Sequence, residues 1–586
     1  MVLKGGVRAV GRSPGETVPS ELPFVKGAAS HGRFPLQIDR GIPPRRRCKV
    51  DLALRRPDPM LSGFMSRLLK SSGAVGTATL ISRILGFARE SVYASFMGVG
   101  LVSDAFFYAL TIPNLFRRLL GEGALTAAFI PVFKEKEKNE GEAAMWHASN
   151  AILSGLVVVC AALVAVAMVV ITVLVDWVPM EQKHELILRL LRLMFPYVGL
   201  ACLAAVFIGI LNARGQFFLP ALGAATLNLV MIASVLWLAP RFGIFKDQQV
   251  FGLAWGLLIA GAVQAAVQWP SLRRQGFRYR WVNPFTDPTV RVVVRRMGPA
   301  TLGVAAYQFN VVLTQTIAVD TADSIVSSFN YAVRLMELPQ GVVGVSLATY
   351  LLTELSELAI EKKFPEFRKS LQEGLLQLIF INALATGLLL VLAEPMIRLL
   401  FEHRSFKSDA TELCTVALRC LAPGLIAFSM NNILARAFYA LGDTKTPMRI
   451  SVVCLGINLI LGVILIPTLK QAGMGIANSL SAVTNTILLG YALRRALPKM
   501  SFAELLPNAL SVAGAGLLAS GVAWAGHAAW ESRLGHAALG ARLGAVFVPM
   551  ILATATYGIA AWYLRLPQIQ ELVALVSRVR RKPVAP

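Results

Sequence analysis

The stretch SNAILSGLVVVCAALVAVAMVVITVL, residues 149–174, carries no charged side chain. At 1.5 Å per residue it crosses the roughly 30 Å hydrocarbon core of a bilayer as one helix. Working outward, the chain contains about fourteen stretches of comparable length and apolarity. The others lie near 72–96, 104–134, 187–211, 217–239, 249–270, 297–319, 324–358, 371–393, 412–441, 449–468, 472–492, 505–529 and 541–564. Only helices and closed barrels satisfy their backbone polar groups in lipid. The chain therefore reads as an all-α polytopic membrane protein with about 14 transmembrane helices.

Composition agrees with that reading. Of 586 residues, 55% are hydrophobic and only 15% charged, where a soluble domain would carry about 25% charged residues. A soluble enzyme, a secreted disulfide scaffold and a disordered regulator are thereby excluded. The six cysteines fall mostly inside apolar stretches, with no CxxC or metal-ligand spacing, and read as small core residues.

The net charge of +24 has a topological origin. Alternate loops carry Lys134/Lys136/Lys138, Arg273/Arg274/Arg278/Arg280, Lys362/Lys363/Arg368/Lys369, Arg494/Arg495/Lys499 and the C-terminal basic cluster. Leaving out the N-terminal arm, roughly 26 Lys and Arg lie on that side against about 9 on the other, which predicts both termini in the cytoplasm. No nucleic-acid partner is needed to explain the charge. Residues 1–65 stand apart: basic, proline-containing and without a signal-peptide h-region. Three readings compete there, a disordered arm on anionic lipid, an organellar-type presequence, and sequence upstream of the true start at Met60 or Met65. The tail 566–586 is expected to be amphipathic and cytoplasmic.

The chain also echoes itself. NLFRRLLGEGALTAAFIPVFKE (114–135) returns as YAVRLMELPQGVVGVSLATYLLTEL (331–355). ILNARGQFFLPALGAATLNL (210–229) returns as ILARAFYALGDTKTPMRISVVCLGINL (433–459). Arg118 then pairs with Arg334 and Pro220 with Pro447. Two matches in the same order weigh against chance likeness and predict duplicated transporter halves. The expected organisation is an N-lobe over 66–296 and a C-lobe over 297–500, two pseudo-symmetric six-helix lobes. Two further C-terminal helices follow over 501–565.

Ionisable residues inside spans cost about 2.5–3.5 kcal/mol each on insertion scales, so their default reading is functional. In the first span Ser82, Arg83, Gly86, Arg89 and Glu90 share a stripe of roughly 120°. In the second, Asp104, Thr111, Arg118 and Glu122 fall within about 40°, with Asn114 and Arg117 beside them and Pro113 a predicted kink. In the eighth, Asn330, Arg334, Glu337 and Gly341 follow a single helical stripe, and Gln308 and Gln315 add a polar line on the seventh. The common destination is a hydrated cavity between the halves. Arg83, Arg89, Arg118 and Arg334 are the predicted substrate ligands there, with Ser82, Glu90, Asp104, Asn114, Glu122, Asn330 and Glu337 supporting or gating. The acids are either structural partners or gate pairs that break during transport. Arg117, Arg419 and Arg436 read as snorkelling or structural. Arginine forks match phosphate oxygens bidentately, so a di- or polyphosphate is the natural ligand. Glycines (Gly86, Gly121, Gly123, Gly341, Gly344) and prolines (Pro113, Pro339, Pro220, Pro447) stand where bending helices need hinges, or where close packing needs small residues.

At these residues the sequence resembles the MurJ/MviN family of bacterial lipid II flippases, within the multidrug/oligosaccharidyl-lipid/polysaccharide exporter superfamily. The resemblance covers residues 66–565. It is carried by SRILGFARE (82–90), DAFFYALTIPNLFRRLLGEGALTAAFIPVF (104–133), MGPATLGV (297–304), YAVRLMELPQGVVGVSLAT (331–349) and FYALGDTKTP (438–447). It implies alternating-access transfer of undecaprenyl-pyrophosphate-linked peptidoglycan precursor from the inner to the outer leaflet of the bacterial cytoplasmic membrane. It also implies cavity roles for Ser82, Arg83, Arg89, Asp104, Arg118, Arg334 and Glu337, and a lipid-tail groove on 505–564. Val333 departs from the pattern, since many relatives have a polar residue before the arginine of the eighth span. The expected partners are lipid II, membrane phospholipid and the cell-wall synthesis machinery, for a monomeric transporter that is not an enzyme. No cofactor or metal is expected, and membrane potential, with or without a coupled cation, would supply the drive. The nearest alternative is a flippase for another lipid-linked oligosaccharide, and a more distant one a multidrug efflux transporter. A membrane enzyme acting on polyprenyl phosphates would need metal-binding carboxylates or a nucleophilic histidine. The histidines lie away from the arginine stripes.

Overall fold

The computed structural model of the chain describes residues 59–121, 124–497, 500–501 and 503–570. The basic extension over 1–58, Glu122, Gly123 and the basic end of the C-terminal tail lie outside them. All regular structure among the described residues is helical, and the described residues from Phe64 onward form one compact unit.

The first half of the chain supplies α1 (Pro59–Met97), α2 (Leu101–Leu120), α3 (Ala124–Glu140), α4 (Glu142–Trp177), α5 (Gln182–Met194), α6 (Tyr197–Ala213), α7 (Phe218–Ala233) and α8 (Lys246–Arg274). The second half begins with α9 (Pro288–Thr321), α10 (Ile325–Pro339), α11 (Val345–Ile360), α12 (Phe364–Val391) and the short α13 (Ala393–Phe401). It continues with α14 (Ser408–Leu421), α15 (Gly424–Ala440), α16 (Lys445–Leu469) and α17 (Gln471–Ala496). The final pair is α18 (Leu506–Leu534) and α19 (Leu539–Tyr563).

Each of the expected spans coincides with one helix or a broken pair, but apolarity alone does not reach fourteen. Eight described helices are long and apolar enough to cross a membrane, or up to ten if two bent pairs each count as one. The other four expected spans fall on α1, α2–α3, α9 and α10–α11. α1, α2 and α10 carry the charged stripes, and α9 carries the polar line.

The internal repeat is visible as repeated breaks. The α5–α6 pair bends by 42° and the α14–α15 pair by 47°. A proline, which removes an N–H and crowds the preceding turn, stands at each bend, Pro196 in one and Pro423 in the other. α6 ends at Ala213 and α15 at Ala440, each followed by a glycine in the left-handed region, Gly215 (φ 77°) and Gly442 (φ 80°). Pro220 and Pro447 are the third residues of the helices that follow, where a missing N–H is tolerated. Pro113 does not interrupt α2, which runs on to Leu120. The second and eighth spans break elsewhere. α2 ends at Gly121, and a π-helical turn over Gln340–Gly344 follows Pro339.

Packing follows membrane rules. α18 and α19 meet along Ala515, Ala519, Ala523, Ala553 and Ala561, small residues that let backbones approach closely. Tyr557 donates to the Phe380 carbonyl at 2.6 Å and ties the pair to α12. Large apolar side chains such as Val166, Val169, Leu517 and Ile559 are left exposed, as a lipid-facing surface requires. Cys160, Cys202, Cys414 and Cys454 are buried in the helical core.

α9 starts at a built cap. Asp287 accepts from the Thr289 N–H at 2.7 Å and meets His147 Nε2 of α4 at 3.0 Å, with Pro288 at the first helical position. Asp287→Ala is expected to lower stability by about 1–2 kcal/mol in detergent unfolding. Burial opposes ionisation, but the hydrogen bonds from Thr289 and His147 prevail and hold the carboxyl below the usual aspartate range. A depressed folded pKa means the contribution is complete above roughly pH 4 and is lost as pH falls through the folded value. The difference between wild type and variant is therefore expected to shrink in acid.

Candidate functional site

A polar cavity of about 370 Å³ lies where α1, α2, α9 and α10 converge, with α16 and α17 closing its far wall. α1 contributes Arg89, Glu90 and Tyr93, and α2 contributes Thr111, Asn114 and Arg118. α9 adds Gln308, Asn310 and Gln315, and α10 adds Asn330, Arg334 and Glu337. Asn458 and Asn478 complete the polar lining. The stripes seen in the sequence thus meet, because each helix turns its polar face away from lipid.

Inside the cavity wall the charges form a chain that crosses from the first half to the second. Glu90 is 3% exposed. It pairs with Arg89, its neighbour on α1, and with Arg334 Nε of α10 at 3.3 Å. Arg334 Nη1 also meets Glu337 Oε2 at 2.8 Å. Arg89 Nη1 donates to Asn228 Oδ1 of α7 at 3.0 Å, and its guanidinium stands 5.4 Å from the Tyr93 ring centroid. Asn228 in turn donates to the Ser82 carbonyl at 3.1 Å. Two arginines are therefore matched by two acids. Arg118, exposed to the cavity, has no hydrogen-bond or ion-pair partner among the described residues and stands as the surplus cation.

Of the remaining sequence-predicted residues, Asn114 and Asn330 line the cavity and the others lie apart from it or outside the described residues. Arg83 is exposed and does not line this cavity, although it faces the same way along α1. Its Nη2 lies 3.4 Å from the Gly341 carbonyl in the π-helical turn, and a Cβ at position 341 would come within 2.3 Å of its guanidinium. Asn114 accepts from Arg117 Nε at 3.1 Å, and Asn330 donates back to the Val326 carbonyl at 2.8 Å. Glu122 lies outside the described residues. Arg419 donates to the Leu390 carbonyl at 3.2 Å and Arg436 to Thr349 at 2.8 Å, consistent with structural roles.

Asp104 is fully buried and sits at the opposite end of α2 from Arg118. Its carboxylate accepts from the Ser324 N–H at 2.8 Å, the Ser327 N–H at 2.8 Å and the Ser327 hydroxyl at 2.5 Å. Ser324 is the N-cap position of α10 and makes no side-chain cap of its own. Asp104 thus caps α10 from another helix and places negative charge at its positive end. Nearby, Lys183 of α5 donates to the Val319 carbonyl at 2.5 Å and pairs with Asp323 at 2.7 Å. His184 meets Asp320 at 3.1 Å, and the Ser405 N–H donates to the Ser95 carbonyl at 3.2 Å. This end of the bundle is closed by hydrogen bonds between the two halves.

The sequence reading missed Asn228, Asn458 and Lys183. The repeat held a signal for the first two, since both echoed segments end in Asn-Leu. Lys183, in a loop-proximal amphipathic turn, gave none. On the expected tail segment, α18 and α19 frame a shallow apolar groove of about 500 Å³ along Gly514, Leu518, Ile559 and Tyr563.

Comparison with known proteins places this architecture. The profile of the family described as "Lipid II flippase MurJ" matches residues 93–540. The chain is 33% identical over 525 residues to "Probable lipid II flippase MurJ" of Bdellovibrio bacteriovorus, covering 88% of this chain and 97% of that protein. It is 32% identical over 441 residues to "Lipid II flippase MurJ" of Burkholderia cenocepacia, covering 73% and 84%. Among solved structures, "Lipid II flippase MurJ, inward closed conformation" superposes with a TM-score of 0.70 at 22% identity, covering 84% of this chain and 99% of that one. An inward-facing multidrug-resistance MATE transporter reaches 0.59 at 14% identity, covering 73% and 99%. Both likenesses are of fold.

Proposed function

The chain belongs to the MurJ family of lipid II flippases, and from that premise we propose that it carries lipid II across the bacterial inner membrane through the cavity between its halves. Arg118, Arg89 and Arg334 bind the pyrophosphate and the adjacent headgroup, while the polyprenyl tail stays in lipid along the α18–α19 groove. The observation that carries this reading is the surplus cation Arg118 beside a neutral ion-pair chain in a polar cavity. A phosphate oxygen entering there meets a guanidinium fork that has no acid partner among the described residues. A cationic drug would meet repulsion at the same place.

Alternating access follows from what holds the halves together. Residues 66–296 rock against 297–500. The Asp104 cap, the Lys183 pair and the 405 loop break when the outer end opens, with both termini cytoplasmic. Glu90 is the switch, since it pairs with Arg334 when the cavity is empty and releases it when phosphate arrives. A cytoplasm-negative potential draws the empty, net-positive cavity back inward, each charge being worth about 2.3 kcal/mol per 100 mV. Arg83, held at the π-helical turn, reaches the cavity as that turn rearranges.

The test uses bacteria depleted of their own flippase and expressing this chain, with cleavage of outer-leaflet lipid II by an added degrading toxin as the readout. Arg118→Ala is expected to cut cleavage roughly 10–150-fold, the equivalent of about 1.5–3 kcal/mol for a lost charge-assisted hydrogen bond. Its thermal midpoint should match wild type, because Arg118 has no partner among the described residues to lose. Full cleavage by Arg118→Ala would remove Arg118 from the binding site. Absent cleavage by well-inserted wild type would point to a different lipid-linked substrate.

A further inference from the structure

At the closed end of the bundle a second pocket, about 490 Å³, lies between the α1 C-terminal turns, the α8 N-terminus and the loop before α14. Its polar lining is Ser91, Ser95, Lys246, Gln249, Arg404 and Ser405. No carboxylate among the described residues lines it, and Asp247, next on α8, is exposed and is not part of the lining. Ser91 and Ser95 stand one helical turn apart on the same face of α1, and neither hydroxyl has a hydrogen-bond partner among the described residues. Lys246 donates to the Phe96 carbonyl and the Ser405 hydroxyl, and Arg404 has no acidic partner among the described residues. Two cations, one from each half of the chain, thus line one pocket with three hydroxyls and no negative charge. Lys246 also opens α8, so the positive end of a long helix borders the pocket.

We propose that this pocket is an anion site for a phosphate or pyrophosphate group, distinct from the central cavity, and that an anion bound there locks the two halves together at this end. Like charges across a seam repel, and the Lys246–Arg404 pair opposes the hydrogen bonds that close it. A phosphate group whose oxygens accept from both cations and from the Ser91 and Ser95 hydroxyls replaces that repulsion with a bridge. Gly98 shows how tight the seam is. Its φ is 66°, and a Cβ there would lie 2.5 Å from the Ser405 carbonyl oxygen. A ligand in the adjacent pocket therefore acts on closure directly. Under the proposed orientation this end faces outward, so phosphate-bearing groups on the delivery side would hold the transporter shut. The pocket's anion binding itself rests on the geometry alone.

The test is hydrogen exchange at the Ser405 amide, whose bond to the Ser95 carbonyl breaks on opening, using the full chain in phosphatidylcholine nanodiscs. Inorganic pyrophosphate at ten times its dissociation constant should slow exchange by about tenfold, the linkage expected for a ligand of the closed state alone. Chloride should not. Arg404→Gln, an exposed substitution, should abolish the slowing, and Arg118→Gln in the central cavity should leave it. Slowing by phosphatidic acid in the nanodisc without pyrophosphate identifies the natural ligand as a lipid headgroup. Slowing by pyrophosphate alone identifies a free phosphate. No slowing in wild type, equal slowing in Arg404→Gln, or loss of slowing in Arg118→Gln each overturns the proposal. Because the readout is binding and not transport, these outcomes are independent of which lipid the chain carries.

Discussion

Glu90→Gln is expected to abolish lipid II exposure and to destabilise the protein together, unlike Arg118→Ala. Glu90 is buried and holds both Arg89 and Arg334, the second across the boundary between α1 and α10. Breaking a buried ion pair by removing one partner costs about 3–5 kcal/mol, because the other charge stays buried and uncompensated. Here two guanidiniums would share a wall that has lost its central acid. Thermal unfolding and toxin cleavage measured on the same preparation check this. The double variant Glu90→Gln/Arg334→Gln should recover part of the stability and none of the transport, with a coupling energy within the 0.5–3 kcal/mol seen for contacting residues. Additive stability losses would mean the two residues do not act as a pair.

The second large effect is expected at Asp104. Its carboxylate serves two backbone N–H groups and one hydroxyl at the start of α10. Asp104→Ala leaves buried donors unsatisfied at about 1–3 kcal/mol each and removes the charge that stabilises the helix end. A total of roughly 3–4 kcal/mol corresponds to a 10²–10³-fold rise in exchange at the Ser324 and Ser327 amides, since 1.4 kcal/mol is a factor of about ten. Asp104→Asn, which keeps one carbonyl acceptor, should fall between. The functional consequence is a bias toward opening at that end, so transport falls because the cavity no longer resets. Unchanged amide protection in Asp104→Ala would show that closure rests on Lys183 and the 405 loop instead.

The arginines illustrate how far local pattern reaches. Arg89, Arg118 and Arg334 were legible because a charge inside an apolar span is expensive, and helical periodicity places each on a stripe. All three line one cavity. Arg83 lies on the same stripe as Arg89 yet stands outside the cavity, bonded to the Gly341 carbonyl. The stripe gives an azimuth on α1, but it carries no information about where along the axis the neighbouring helix bends. That bend is the π-helical turn after Pro339, and only the packed fold locates it. Asp104 was legible as a costly residue and open as to role. Its three hydrogen bonds to α10 make it a cap supplied from another helix.

The sequence alone determined the membrane class, the positions of the apolar helices, the repeat with its paired prolines, and the polar faces that had to find one another. These depend on composition, on a 3.6-residue period and on the bilayer's thickness, all local or one-dimensional quantities. Tertiary structure alone decided that Glu90 pairs with Arg334, that Asn228 holds Arg89, that Asp104 closes one end, and that Arg118 has no acid partner among the described residues. Those outcomes depend on contacts between side chains more than a hundred positions apart in the chain. Such contacts are fixed by the relative rotation and bend of packed helices, which no single helix's own pattern contains.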